Sequence, residues 1–355
     1  MIEIDFSKKL LEWHKKDNKR SMPWKGESDP YRIWLSEIIL QQTRVEQGLA
    51  YYNKFISKYP DVFALANASE NDVFKSWEGL GYYNRCRNLI ITAKKIAFEY
   101  QGIFPSAYQE ILALKGIGEY TAAAISSFAF GLPYAVVDGN VERVLSRYFG
   151  VSAPTGSAAG KKFYTSLAMS VLNRKNPGIY NQALMDFGAT ICKPRNPLCE
   201  NCLQSKNCQA FQHQWTKLLP VKIQRAVRKT RWLNYFVIHD ESGIWIHERR
   251  SNDIWKNLYE FILWESGKII PQNRTHAEAS VEKIFGAGIF QLLHISSVFS
   301  QTLTHQTIKG RFIHLKPSEH AEKPPGYITV PFHNLADFPF PKLINDYLKV
   351  LSDAV

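Results

Sequence analysis

Residues Glu110–Arg143 read EILALKGIGEYTAAAISSFAFGLPYAVVDGNVER, and the rest of the chain is read outward from them. An apolar helical pattern (Ile111, Leu112, Leu114) breaks at Gly116-Ile117-Gly118 and resumes as a small-residue helix from Thr121 to Phe130. Glycines at the break permit backbone angles that a side chain forbids, so the amides from about Gly116 to Tyr120 can point outward at the start of the second helix. Unpaired N–H groups and the positive end of a helix dipole together suit a phosphate. Gly-x-Gly alone also serves as an ordinary joint between packed helices, and by itself favours that use. Asp138 shifts the balance. A carboxylate between Val136-Val137 and a Gly-Asn turn is poorly explained by packing, although an Asp also caps a helix beginning near Asn140.

The chain has 355 residues, enough for two domains with separate cores. A formal charge of +12 and a pI near 9.3 fit a polyanionic partner, because basic proteins gather at nucleic acid through counterion release. The N-terminus, MIEIDFSKKLLEWHKK, has no apolar core of signal-peptide length, and no later run approaches the roughly 20 apolar residues of a membrane span. A cytoplasmic protein without a membrane partner is expected. Of five cysteines four are clustered, which fits a metal site in a reducing compartment better than a disulfide framework.

Residues 6–16 read as a short amphipathic helix, 21–30 as a loop, and YRIWLSEIILQQTRVEQ as a further helix. Glu37 in that helix has Ile33, Trp34, Leu40 and Gln41 as its three- and four-residue neighbours, so its carboxyl shares a largely apolar face. Such surroundings raise a carboxyl pKa, as a general acid requires; a paired or surface-tilted Glu is the plainer alternative. Helices are expected near 45–58 and 70–78. In WEGLGYYNRCRN two glycines lift Tyr82-Tyr83 onto a turn beside Arg85 and Arg87, which suits either a wedge between stacked bases or a core tyrosine beside solvated charge. Residues 157–173 read as a helix, and Gln182 lies near the start of the next.

Cys192, Cys199, Cys202 and Cys208 have the spacing C-x6-C-x2-C-x5-C, which serves zinc and iron–sulfur sites alike. From 212 to 231 a basic, Pro-containing segment that includes Arg225 reads as a linker. Beyond it WLNYFVIHD and IWIHERR flank a turn as a strand hairpin. Strands are expected at 258–264, 296–303, 307–315 and 327–331, and helices near 275–285 and 341–352, which makes a mixed α+β domain.

The Leu-x-Gly-Ile-Gly-x-x-Thr-Ala hairpin followed by Val-Asp-Gly-Asn resembles the helix-hairpin-helix DNA glycosylases. In that family the hairpin, here Gly116 and Gly118, holds a DNA phosphate, and the Asp, here Asp138, sits at the sugar of an extruded nucleotide. Members similar to endonuclease III carry at the position of Tyr120 a lysine whose amine cuts the strand through a Schiff base; a tyrosine cannot. The resemblance therefore narrows to the adenine DNA glycosylases of the MutY type, which release a base and leave the strand whole. Trp-Leu-Ser-Glu-Ile-Ile-Leu-Gln-Gln-Thr looks like that family's first catalytic helix.

This resemblance implies that Glu37 protonates adenine at N7 and that Asp138 stabilises the oxocarbenium ion, with Tyr120 and Asn140 orienting Asp138 and water. By the same resemblance Trp24 and Leu40 line the adenine pocket, Gln182 faces the adenine edge, and Gln42 and Tyr82 enter the opened duplex. The four cysteines would hold one 4Fe-4S cluster. The implied architecture is a mostly α helix-hairpin-helix domain with an iron–sulfur loop (1–211), a basic linker (212–231) and an α+β Nudix-like domain (232–355) that recognises 8-oxoguanine through Thr304 and His305. GKIIPQNRTHAEASVEKIFGAG lacks the Arg-Glu-x-x-Glu-Glu core of a Nudix hydrolase, so the second domain is expected to read without hydrolysing. Leu303 departs from the family's usual aromatic, and Asn257 stands where a Gly is common. The partner implied is duplex DNA with A:8-oxoguanine or A:G mispairs, bound by a monomer at the bacterial nucleoid. The rival readings are a pyrimidine-lesion or G:T glycosylase on the same scaffold, and a non-catalytic DNA-binding iron–sulfur protein.

Overall fold

The computed structural model describes residues 2–223 and 227–352; Arg225 of the expected linker lies outside the described residues. Twelve α-helices precede the first strand: α1 (Ile2–Lys16), α2 (Pro30–Leu40), α3 (Val45–Lys58), α4 (Val62–Asn67), α5 (Glu70–Trp77), α6 (Asn84–Phe98), α7 (Tyr108–Leu112), α8 (Glu119–Ala129), α9 (Gly139–Phe149), α10 (Ala158–Ser170), α11 (Pro177–Thr190) and α12 (Gln209–Gln212) among the described residues. They are followed by β1 (Lys229–Asp240), β2 (Gly243–Glu248), β3 (Tyr259–Glu260), β4 (Ile262–Ser266), α13 (Arg274–Phe285), β5 (Phe290–Ile295), β6 (Phe299–Thr302), β7 (Gln306–Pro317), β8 (Tyr327–Val330) and α14 (Lys342–Ser352). The chain divides into two compact units, Met1–Asn67 with Asn88–Gln224, and Ala68–Arg87 with Arg225–Val355.

In the first unit α2 starts where Asp29 accepts a hydrogen bond from the Tyr31 amide (2.8 Å) and Pro30 supplies a preset φ. Tyr31 and every residue from Ile33 to Ile39 are buried, so α2 is a core helix with Arg32 as its exposed exception. The helix expected to run on to Gln47 is instead two helices. Gln42 takes φ 57, a left-handed conformation that no α-helix propagates, and α3 begins only at Val45. In α8 the run Thr121–Ser127 is buried, and its small side chains let α2 and α11 pack closely against it. A second core joins α1, α9, α10 and α11 through Phe6, Leu10, Trp13, Val141, Leu145, Tyr164, Leu184 and Phe187. Cys192, Cys202 and Cys208 pack onto this core, so the cysteine loop is seated on it.

The second unit is a sheet whose main path runs β3-β2-β1-β7-β5, with β4 on β1, β6 on β7 and β8 on β2. β1 and β7 run parallel from Lys229↔Gln306 to Ile238↔Leu315, so Lys229 and Arg231 of the expected linker are strand residues. Successive residues of β7 face opposite sides. Ile313 joins the core that α13 covers, while Phe312 stacks on Tyr347 of α14 at 3.7 Å. β5 was not expected. A register shift between Leu292 and His294 breaks its alternation, and only Leu292 in it is buried. Residues 68–87 are tied to this unit by Lys75 Nζ to the Phe338 carbonyl (3.0 Å), the Phe340 amide to Glu78 Oε1 (2.8 Å) and Arg87 Nη1 to the Lys256 carbonyl (2.6 Å).

At the α7–α8 hairpin Gly116 has φ +80, and a Cβ there would lie 2.5 Å from Asn88 Cβ. Gly116→Ala therefore meets both a left-handed penalty of about 1–2 kcal/mol and a collision with α6. The melting temperature of the protein is expected to fall by several degrees; an unchanged melting curve would contradict this account of the hairpin.

Candidate active site

A cavity of about 670 Å³ opens in the first unit. Trp24, Glu37, Leu40, Tyr120, Asp138, Asn140 and Gln182 all line it, although they come from five separate stretches of sequence. Gln42 is exposed outside it, and Gly116 and Gly118 form the hairpin at the start of α8. Tyr82, Thr304 and His305 belong to the second unit.

Glu37 is only 8% exposed. Burial, reinforced by the negative charge of Asp138, raises its carboxyl pKa to about 7, against the opposing effect of a hydrogen bond from Tyr120. The Tyr120 hydroxyl, withdrawn from water and facing both carboxylates, is pushed well above its ordinary pKa, so it acts as a donor. Met185 Sδ lies 3.6 Å from it.

Asp138 is held in the opposite way. Its Oδ1 accepts from the amides of Asn140 (2.9 Å) and Val141 (2.8 Å) at the start of α9, and its Oδ2 accepts from Asn140 Nδ2 (2.6 Å). It is thus both a helix cap and a cavity residue. Its partners are three donors, two of them backbone amides at the positive end of a helix. The Asn140 carbonyl accepts from Arg143 Nη2 (2.9 Å), and because a guanidinium only donates, the Asn140 amide must turn its NH2 to Asp138. Arg143 also donates to the carbonyls of Gly188 (2.8 Å) and Cys192 (2.8 Å). A Cβ at Gly188 would meet Asn140 Cβ at 2.7 Å, so this glycine leaves room for Asn140.

Arg143 was missed in the sequence reading, although it lies three residues beyond Asn140 on α9, where side chains meet. Asp186 was missed as well. It is fully buried and accepts from Asn18 (2.8 Å), Arg20 (2.9 Å), Lys25 (3.1 Å) and Gln182 (3.0 Å). No local pattern announces it, since three of its partners lie far away in the chain.

Cys192, Cys199, Cys202 and Cys208 line one small apolar cavity with Phe6, Val144 and Tyr148. Arg147 Nη1 approaches Cys192 Sγ at 3.6 Å. Burial, then neighbouring thiols, raise Cys199 and Cys208; burial pushes Cys202 up to about 12. Four sulfurs on one apolar surface disfavour four bare thiolates and suit a cationic centre that neutralises them. Among the described residues no three metal-ligating side chains converge tightly enough to hold a single ion as they stand.

Tyr82 is exposed with φ 49, and Arg85 lies over its ring at 5.4 Å. Its hydroxyl hydrogen-bonds Thr304. Leu303-Thr304-His305 is the tip of the β6–β7 hairpin, closed by the Leu303 amide to the Gln306 carbonyl (2.8 Å). Gln42 and Tyr82 both hold left-handed backbone without being glycine, a cost often kept where a side chain has a task. Asn257 also has φ 69, which accounts for a glycine being common there, as Asn is among the side chains that tolerate that conformation best. On α13, Glu278 pairs with Arg274 (2.8 Å), and among the described residues no carboxylate cluster suited to magnesium is present.

Residues 35–167 match the HhH-GPD superfamily of base excision DNA repair proteins, and residues 234–350 match the NUDIX domain. The adenine DNA glycosylase of Buchnera aphidicola subsp. Acyrthosiphon pisum is 36% identical over 263 residues, covering 74% of this chain and 75% of that protein. Adenine DNA glycosylase of Homo sapiens is 39% identical over 216 residues, which is 58% of this chain and 39% of the human protein. Among solved structures, a thermostable thymine-DNA glycosylase is 33% identical with a TM-score of 0.56, covering 60% of this chain and 97% of the other. An endonuclease III in a non-covalent complex with DNA, 20% identical with a TM-score of 0.51 over 60% of this chain and 96% of that one, supports the helical fold alone. With a helix-hairpin-helix domain, a Nudix-like α+β domain and this identity over most of both chains, the protein belongs to the adenine DNA glycosylase family.

Proposed function

We propose that this enzyme of base excision repair removes adenine paired with 8-oxoguanine or guanine from duplex DNA and leaves the strand whole. The observation that carries the reading is that Glu37 and Asp138 face one cavity in opposite electrostatic settings. Glu37, pushed toward its neutral form, suits the duty of an acid, and Asp138, faced by three donors, that of an anion.

The bond from N9 of adenine to C1′ is stacked inside the duplex, so the nucleotide is turned out first, at a cost of a few kcal/mol that mispairing lowers. Glu37, half protonated at pH 7 and increasingly so below it, donates its proton to N7 and turns the base into a better leaving group. As C1′ becomes cationic, the Asp138 carboxylate stabilises it electrostatically or by a covalent adduct, while Asn140 keeps that carboxylate aimed. Tyr120 holds Glu37 by its hydrogen bond and supplies no amine for strand cleavage. Trp24 and Leu40 give the base an apolar wall.

The amides of the α8 start, which carry no side-chain cap at Gly118, would take a DNA phosphate, and Tyr82 and Gln42 would enter the stack. Thr304 and His305 at the hairpin tip would read the base opposite adenine. The four cysteines would hold a 4Fe-4S cluster, whose chemistry here is structural, bracing a loop that carries Lys193 and Arg195. The protein would act as a monomer in the cytoplasm; no helix among the described residues is long and apolar enough to cross a membrane.

The likeness to a thymine-DNA glycosylase favours a second reading, thymine release from G:T, which the Nudix-like domain and Gln182 oppose. Duplexes carrying A:8-oxoguanine, A:G or G:T decide between them. Free adenine from the first two, with strands that break only after alkali, is expected; thymine as the sole product would overturn the proposal. Single-turnover adenine release should be level below pH 7 and fall about tenfold per pH unit above it, as Glu37 loses its proton. Glu37→Gln should lower release by at least about 100-fold while duplex binding persists, and a rate unchanged in that variant would remove Glu37 from the chemistry.

A further inference from the structure

We propose that Asp186 is a positioning residue that sets which end of the Gln182 amide faces the cavity, so that the extruded base is read by its exocyclic amino group. The proposal rests on the adenine reading above and extends it. Asp186 is 0% exposed and sits one helical turn beyond Gln182 on α11. Its Oδ1 accepts from Arg20 Nη1 (2.9 Å) and Gln182 Nε2 (3.0 Å), and its Oδ2 from Asn18 Nδ2 (2.8 Å) and Lys25 Nζ (3.1 Å).

An unconstrained glutamine amide can rotate by half a turn and offer either its carbonyl or its NH2. Here the choice is made by chemistry. A carboxylate flanked by Arg20 and Lys25 only accepts, so a flipped Gln182 would set its carbonyl against a carboxylate oxygen and lose a charge-assisted hydrogen bond. Gln182 lines the cavity, and with its NH2 engaged by Asp186 it turns Oε1 toward the base. That oxygen accepts from the 6-amino group of adenine. Hypoxanthine, with a 6-oxo group in the same place, would set oxygen against oxygen.

Asp186 also ties the segment around Trp24 to α11, and that anchoring alone would affect every base alike. The test is therefore a ratio. Single-turnover release of adenine and of hypoxanthine, each opposite 8-oxoguanine in otherwise matched duplexes, is measured for the full chain and for Asp186→Asn, Gln182→Met and the double variant. Asp186→Asn presents a donor to Gln182 and releases the amide to flip. The adenine-to-hypoxanthine ratio should fall roughly tenfold or more, and the double variant should match Gln182→Met alone. Equal loss for both bases in Asp186→Asn, or a further fall in the double variant, would overturn the proposal while leaving adenine release by the unmodified protein untouched. Absence of adenine release from the unmodified protein would instead remove the reading beneath it. Should Asp186→Asn fail to fold, the side-chain amide of Gln182 in 15N-glutamine-labelled protein, identified by its loss in Gln182→Met, decides: protected protons are expected, and free exchange with solvent overturns the proposal.

Discussion

Placing a carboxyl group inside a core helix is the constraint from which the rest of the first unit follows. α2 is buried on nearly every side, and Glu37 within it lies near a second carboxylate. Two such groups in one cavity cannot both carry charge cheaply. The fold resolves this asymmetrically. Glu37 receives one hydroxyl hydrogen bond and little water, whereas Asp138 receives two backbone amides, a side-chain amide and the start of α9. Glu37 is held toward its neutral form, while Asp138 is surrounded by donors.

Such asymmetry depends on side chains that do not themselves line the cavity. Arg143 fixes the Asn140 amide and reaches the Cys192 carbonyl, so the aim of Asp138 and the seating of the cysteine loop share one guanidinium. Asp186 plays the matching part behind Gln182, gathering Asn18, Arg20, Lys25 and Gln182. A buried carboxylate with four donors adds little net stability over an apolar packing, but it specifies geometry. Small residues provide the remaining precision: the small-residue run of α8 admits α2 and α11, and Gly188 admits Asn140.

Much of this was legible from local pattern. The helices expected near 45–58 and 70–78 and the hairpin around Gly116 rest on short-range features, and α3, α5, α7 and α8 stand there. Glu37, Asp138 and Gln182 were marked by residue type in an unusual setting or by resemblance, and the fold brings all three to one cavity. What escaped was long-range. Nothing in the vicinity of Asp186 foretells partners more than 160 residues away, and nothing in 68–87 foretells contacts with Phe338 and Phe340. The left-handed turn at Gln42 and the irregular β5 escaped because a glutamine carries no turn signature and a bulge erases alternation.

The central claim is that burial holds the Glu37 carboxyl far above the ordinary glutamate range, so that it still carries a proton close to neutral pH. A 13C-detected titration of the Glu37 side-chain carboxyl, identified by comparison with Glu37→Gln, measures this without any DNA. The account predicts a midpoint near 7, far above the ordinary glutamate value of 4.5; a midpoint at that ordinary value would contradict it.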